Sequence, residues 1–166
     1  VTNKCFARSR SRARGFTFIE LMLTVAIVGV LALGLVPLGE LAVQRGREAQ
    51  LRAGLRELRG ALDAYKKAVD DGQVLRKADE SGYPPSLDAL VRGVENTKPE
   101  GPKRLVFLRR IPRDPFFPDA TTPAERTWGL RSYDSPPDGP RPGKDVFDVY
   151  SLSERKGLNG VPYRQW

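Results

Sequence analysis

An α+β fold follows from three features of the sequence. A 23-residue apolar run, Phe16 to Leu38, holds a single ionisable side chain, Glu20. An amphipathic stripe continues it: Leu51, Leu55, Leu58, Leu62, Tyr65 and Val69 recur at spacings of four and three, which places them on one face of a helix. Beyond Gly72 the composition shifts, with 13 of the 14 prolines in that part of the chain, and short β-rich runs replace the helical period. The expected architecture is a long N-terminal helix, half apolar and half amphipathic, packed against a small antiparallel sheet. The expected division is a basic leader at 1–15, an apolar helix at 16–38, its amphipathic continuation at 39–71 and a globular head at 72–166.

The apolar run comes first because length decides its meaning. At about 1.5 Å per residue a helix of this length reaches about 34 Å, enough for a bilayer core of about 30 Å. Lys4, Arg8, Arg10, Arg12 and Arg14 precede it with no acid among them, so the positive-inside bias predicts a cytoplasmic N-terminus and an exported head. Glu20 breaks the pattern, since a carboxylate inside a membrane segment costs about 2.5 kcal/mol or more unless paired or neutralised. No Lys, Arg or His lies between Glu20 and Arg45. A cut between Gly15 and Phe16 creates an amine at a similar depth, and a neighbouring copy can bring that amine to Glu20. The anomaly therefore points to processing and self-assembly together.

Gly15-Phe16-Thr17-Phe18-Ile19-Glu20 after a short basic leader resembles the class III signal of type IV pilins and type II secretion pseudopilins. The resemblance implies a pilin-like fold. It also implies cleavage after Gly15 by a membrane prepilin peptidase, N-methylation of Phe16, pairing of Glu20 with a neighbour's N-terminus, and a helix bend at Pro37. Implied partners are other copies of the chain, the peptidase/methyltransferase, minor pseudopilins, and an inner-membrane assembly platform with its ATPase. The implied location is the bacterial inner membrane, single-pass with a periplasmic head, and then a periplasm-spanning pseudopilus.

Charge and cysteine usage narrow the alternatives. The net charge of +8 falls to +3 once residues 1–15 are removed, leaving 23 basic and 20 acidic side chains, so no nucleic-acid partner is expected. Cys5, the single cysteine, lies in the leader, and the remainder of the chain can form no disulfide. Gly29, Gly34 and Gly39 permit close helix approach or local unwinding. A secretory signal cut after Ala32-Leu33-Gly34 is the competing interpretation. It would make the chain a conventionally exported binding domain; an uncut helix would make it an anchored one.

The rest of the chain reads as connected short elements. The stripe ends at Asp70-Asp71-Gly72, with Glu48/Arg52 and Asp63/Lys67 as (i, i+4) pairs beside it. A short helix is predicted from about Ser86, as its cap, to Gly93. Val94 to Lys103 reads as an exposed loop, and Leu105 to Leu108 as an apolar segment. Thr127–Tyr133 and Val146–Leu152 are strand candidates joined by a turn-rich PPDGPRPG stretch. Gly157-Leu158-Asn159-Gly160 is a predicted turn, with Trp166 tucked against the sheet.

No chemistry of a catalytic kind accompanies these elements. The sequence has no His, no Gly-rich phosphate loop and no acidic cluster with metal-ligand spacing, so no enzyme is expected. Asp145, just ahead of the second strand candidate, and Asp148, within it, stand three apart and in extended chain face opposite sides. Arg109, Arg110 and Arg113 near Phe107 and Phe116 form a basic knot, expected to be solvated charge beside core aromatics.

Ile111-Pro112-Arg113-Asp114-Pro115-Phe116, Trp128 to Tyr133, and Asp145 to Ser153 with Trp166 resemble the head of G-type pseudopilins, which implies a pseudopilus subunit of type II secretion. A type IV pilin or minor pilin, serving adhesion, motility or DNA uptake, is the nearest alternative. The resemblance also raises a calcium ion in the loop after the last strand, with Ser151, Ser153 and Glu154 as weak candidate ligands. After Glu154 no acid follows, and Arg155 and Lys156 adjoin it, so no cofactor is expected.

Overall fold

The computed structural model describes residues 15–77 and 79–166, and for 33–38 the backbone alone. The leader at 1–14, Cys5 included, lies outside the described residues. The chain divides into two compact units, Val1–Leu41 and Ala42–Trp166.

Helix α1 runs Phe18–Asp70, 53 residues, and contributes to both units. Its part in the first unit is apolar and exposed: Leu21, Leu23, Val25, Ile27 and Val30 all face solvent. A Cβ built at Gly29 or Gly39 meets nothing within 4 Å, so neither glycine is needed for a contact inside the chain. Pro37, the expected bend, and Gly34 fall where side chains lie outside the described residues. Among the described residues no helix is long and apolar enough to cross a membrane.

In the second unit the predicted stripe is the core. Leu51, Leu55, Leu58, Leu62, Tyr65 and Val69 are all buried, the leucines and the valine each worth about 1.5–3 kcal/mol of transfer free energy. They meet Leu87, Leu90, Leu108, Phe116, Trp128, Val146 and Val149 from the head. Of the expected surface pairs, Lys67 bonds Asp71 at 3.5 Å instead of Asp63, and Lys66 bonds Asp70. Glu48 is not a surface partner of Arg52 at all. It lies three residues before Leu51, on the buried face, and is 5% exposed.

Helix α2, Leu87–Arg92, occupies the predicted place, and Ser86 stands at its N-cap without a side-chain capping bond. The expected loop after it is the tip of a small hairpin. β1 (Val94–Glu95) pairs antiparallel with β2 (Arg104–Leu105), Val94 opposite Leu105. Gly93 admits this turn: its φ is +72°, and a Cβ there would stand 2.7 Å from the Leu105 carbonyl oxygen. A second antiparallel pair joins β3 (Trp128–Arg131) to β4 (Asp148–Ser151), with Leu130 opposite Val149. The single expected sheet is thus two two-stranded sheets. β4 starts at Asp148, later than the predicted strand, because the Val146 N–H is drawn off to the Pro84 carbonyl at 2.8 Å.

Candidate assembly site

In the first unit the expected processing residues, Gly15 and Phe16, lie just ahead of α1. Gly15 is exposed and a Cβ there would meet nothing within 4 Å. Phe16, Phe18 and Ile19 are 80%, 78% and 76% exposed. Thr17 and Glu20 close a capping box: the Thr17 N–H donates to Glu20 Oε2 at 3.4 Å, and the Glu20 N–H donates to Thr17 Oγ1 at 3.3 Å. Both bonds are long, and they satisfy donors that the first turn leaves without helical partners. Hydropathy does not single out Thr17, whereas the Thr-x-x-Glu pattern does. Glu20 therefore has an uncharged polar partner within its own chain.

In the second unit the C-terminal loop is fastened to α1 by a buried carboxylate. Glu48 Oε1 accepts from the Leu158 N–H at 2.8 Å, the Tyr163 hydroxyl at 3.0 Å and the Gln44 amide at 3.3 Å. Burial pushes the Glu48 carboxyl up, but these donors and the Arg52 charge outweigh it and hold its pKa below the ordinary glutamate value. Burial raises the Tyr163 hydroxyl, which keeps it a neutral donor. Tyr163 stacks on Phe116 with centroids 4.1 Å apart and meets Trp166 edge-on at 5.0 Å. The Gly160 N–H donates to the Gly157 carbonyl at 2.9 Å, which closes the predicted turn. Trp166 sits beside α1, with Arg52 4.4 Å above its ring and the Arg59 guanidinium donating to its carbonyl at 2.8 Å.

Two of the three candidate calcium ligands, Ser151 and Ser153, are hydrogen-bonded within the chain. Ser151 is buried, its hydroxyl donating to Asp114 Oδ2 at 2.5 Å and accepting from the Ser153 N–H at 3.1 Å. Ser153 Oγ accepts from the Arg155 N–H at 3.4 Å, and Glu154 is exposed. One exposed carboxylate next to two cations, with the Ser151 hydroxyl already committed, does not suit a hard cation that takes six to eight oxygens. Among the described residues no three His, Cys, Asp or Glu side chains are grouped to hold a metal. Asp145 and Asp148 are likewise apart in role. Asp145 accepts from the Tyr133 N–H at 2.8 Å and from the Ser81 hydroxyl; Asp148 pairs with Arg59 at 2.8 Å and Arg131 at 3.8 Å. Within the basic knot, Arg113 donates to the Asp119 and Thr122 carbonyls, which leaves Arg109 and Arg110 as its exposed members.

The family model described as "Prokaryotic N-terminal methylation motif" matches residues 10–36, a window that holds Gly15, Phe16 and Glu20. The type II secretion system core protein G of Klebsiella pneumoniae is 34% identical over 116 residues, 65% of this chain and 72% of that one. The chain belongs to the type II secretion system core protein G family. Other G proteins align over more of it. That of Pseudomonas aeruginosa is 29% identical across 86% of this chain and 84% of its own. That of Escherichia coli is 28% identical across 90% and 99%. No solved structure is a significant match. As a pseudopilin of this family, the chain carries its two structured features in separate units: an exposed apolar helix start, and a head whose C-terminal loop is closed on α1.

Proposed function

We propose that this pseudopilin is cut between Gly15 and Phe16, methylated at the new Phe16 amine, held in the inner membrane by residues 16–38 with its head in the periplasm, and polymerised through that helix. The polymer is the pseudopilus of a type II secretion system, and the subunit itself is structural, not an enzyme. Its partners are its own copies, the prepilin peptidase, minor pseudopilins, and the assembly platform with its ATPase. No resident cation is needed, because Glu48, Tyr163 and Trp166 close the C-terminal loop.

The observation that carries this reading is the start of α1, where a run of exposed apolar side chains contains one carboxylate, Glu20. Such a surface is not stable in water, and large exposed apolar patches mark contacts with membrane or protein. Lipid covers it before assembly and neighbouring helices cover it afterwards. Glu20 then exchanges its weak bond from the Thr17 N–H for a neighbour's charged amine, a stronger partner in a medium of low dielectric.

Two substitutions separate the charge from the cap. Glu20→Gln retains a capping-box acceptor and loses the charge; Glu20→Ala loses both. Both variants are expected to insert in membranes at wild-type levels and to form few filaments by electron microscopy. Normal filaments from Glu20→Gln would refute the ion pair, and failure of Glu20→Ala alone would assign Glu20 to helix capping.

A further inference from the structure

The second unit carries two unlike charged surfaces at different levels of α1. Arg45, Arg52 and Arg56 are exposed, and at 100° per residue they fall within about 40° of one line along the helix. Among the described residues none of the three forms an ion pair. Arg52 has the Trp166 ring beneath it and feels the buried Glu48, whose oxygen is already taken by three donors. Arg59, slightly off this line, is fully engaged by Asp148 and two carbonyls.

The opposite charge lies further along. Tyr65, nine residues beyond Arg56, lines a groove of about 660 Å³ whose wall is Tyr83 and Tyr133 and whose rim carries Asp79 and Asp134. Tyr83 and Tyr133 stack with centroids 6.0 Å apart, and Tyr133 remains 58% exposed. The rim also holds Glu80, paired with Lys77 at 3.9 Å, together with Lys144 and Asp145. Its four carboxylates against two lysines leave it net negative. Asp79 and Asp134 pair with no cation among the described residues. Tyrosine faces beside free carboxylates are what a guanidinium needs: a plane to stack on and oxygens to receive its donors.

We propose that Arg52 and Arg56 of one copy dock on the Tyr83–Tyr133 groove with Asp79 and Asp134 of a second copy of this chain, shifted along the helix axis. The spacing from Arg52 and Arg56 to Tyr65 sets that shift at about 14–20 Å, from about 1.5 Å per residue. Unlike patches meeting head to tail leave one of each free at the ends, so the contact does not close and propagates as a filament. Complementary charge on one chain identifies the occupant, and like patches repel, which excludes a back-to-back dimer of either surface. The inference rests on the filament reading and supplies the contact between heads that the apolar helices do not.

The test uses the full-length chain in its native membrane. Arg52→Glu with Arg56→Glu, and separately Asp79→Lys with Asp134→Lys, are each expected to insert normally and to lower filament yield about tenfold or more. The four changes together restore it. In a Cys5→Ser background, copies carrying Arg56→Cys and copies carrying Tyr133→Cys form mixed disulfide dimers on mild oxidation, which requires Cα atoms within about 7 Å. Unchanged filament yield in both charge reversals, or loss without recovery in the combined variant and no mixed dimer, overturns the contact. Absence of filaments from the wild-type chain overturns the filament reading instead, and the mixed disulfide still decides the contact.

Discussion

Glu48 shows how one side chain ties two distant parts of the chain together. Its carboxylate accepts from Gln44 one helical turn away and from Leu158 and Tyr163 more than a hundred residues on. Because its pKa is lowered in the folded protein, the stability it contributes is present above the ordinary glutamate range and is lost as pH falls through the lowered folded value. Glu48→Gln removes that dependence. Urea titrations of the wild-type and variant proteins at neutral pH should differ by about 1.5–3 kcal/mol, the worth of hydrogen bonds to a charged group. The gap should narrow as pH is lowered below about 4.3, where free glutamate protonates. A gap independent of pH would show that Glu48 acts by shape alone. The (i, i+4) spacing to Arg52 is legible in the sequence and the Arg52 charge does act on Glu48, but that spacing does not reveal that the carboxylate is buried. The stripe extended by one step, three residues before Leu51, reaches Glu48; a rule that admits only apolar residues to the stripe stops short of it.

At the scale of elements, the amphipathic half of α1 is the template on which the head assembles. Leu58 is fully buried at the middle of the stripe, while Glu57 beside it is exposed. Leu58→Ala is expected to cost about 2–5 kcal/mol, and Glu57→Ala less than about 0.5 kcal/mol, both read from thermal melts monitored by far-UV circular dichroism. Equal effects would mean the stripe is not the core. The helix was readable because six apolar positions repeat its period; the strands were readable only in part. β4 is shorter than its pattern because the Val146 N–H goes to the Pro84 carbonyl, a choice made by tertiary packing that alternation cannot encode. The β1–β2 hairpin leaves no signal in the sequence because each strand is two residues long, too short for any period. At the start of α1, Gly15, Phe16 and Glu20 stand out in the sequence by motif and charge, whereas the Thr17 cap shows only as the uncharged half of a Thr-x-x-Glu pattern.

At the scale of the whole molecule, the two units present different surfaces, one apolar and exposed and one closed over a core, and each makes its own demand on an experiment. The head is closed by Glu48, the Phe116–Tyr163 stack and Trp166, so a chelator should leave its melting temperature unchanged; a fall on chelation, reversed by calcium, would restore a metal to the C-terminal loop. The first unit exposes Phe16, Phe18, Ile19 and the apolar residues that follow, and the processing reading turns on where the chain in the membrane begins. Intact-mass and N-terminal peptide measurement on protein from the native membrane should find a chain starting at Phe16, heavier by one methyl group than cleavage alone leaves it. A chain starting after Gly34 would have lost Glu20 and most of the exposed apolar helix, and would be an exported head. A chain retaining the segment ahead of Gly15 would keep Phe16 inside a peptide bond, with no α-amine for Glu20 of a neighbour to meet. Only the first product joins the exposed apolar helix and its lone carboxylate in a single account, which is why the mass of the N-terminal peptide tests both.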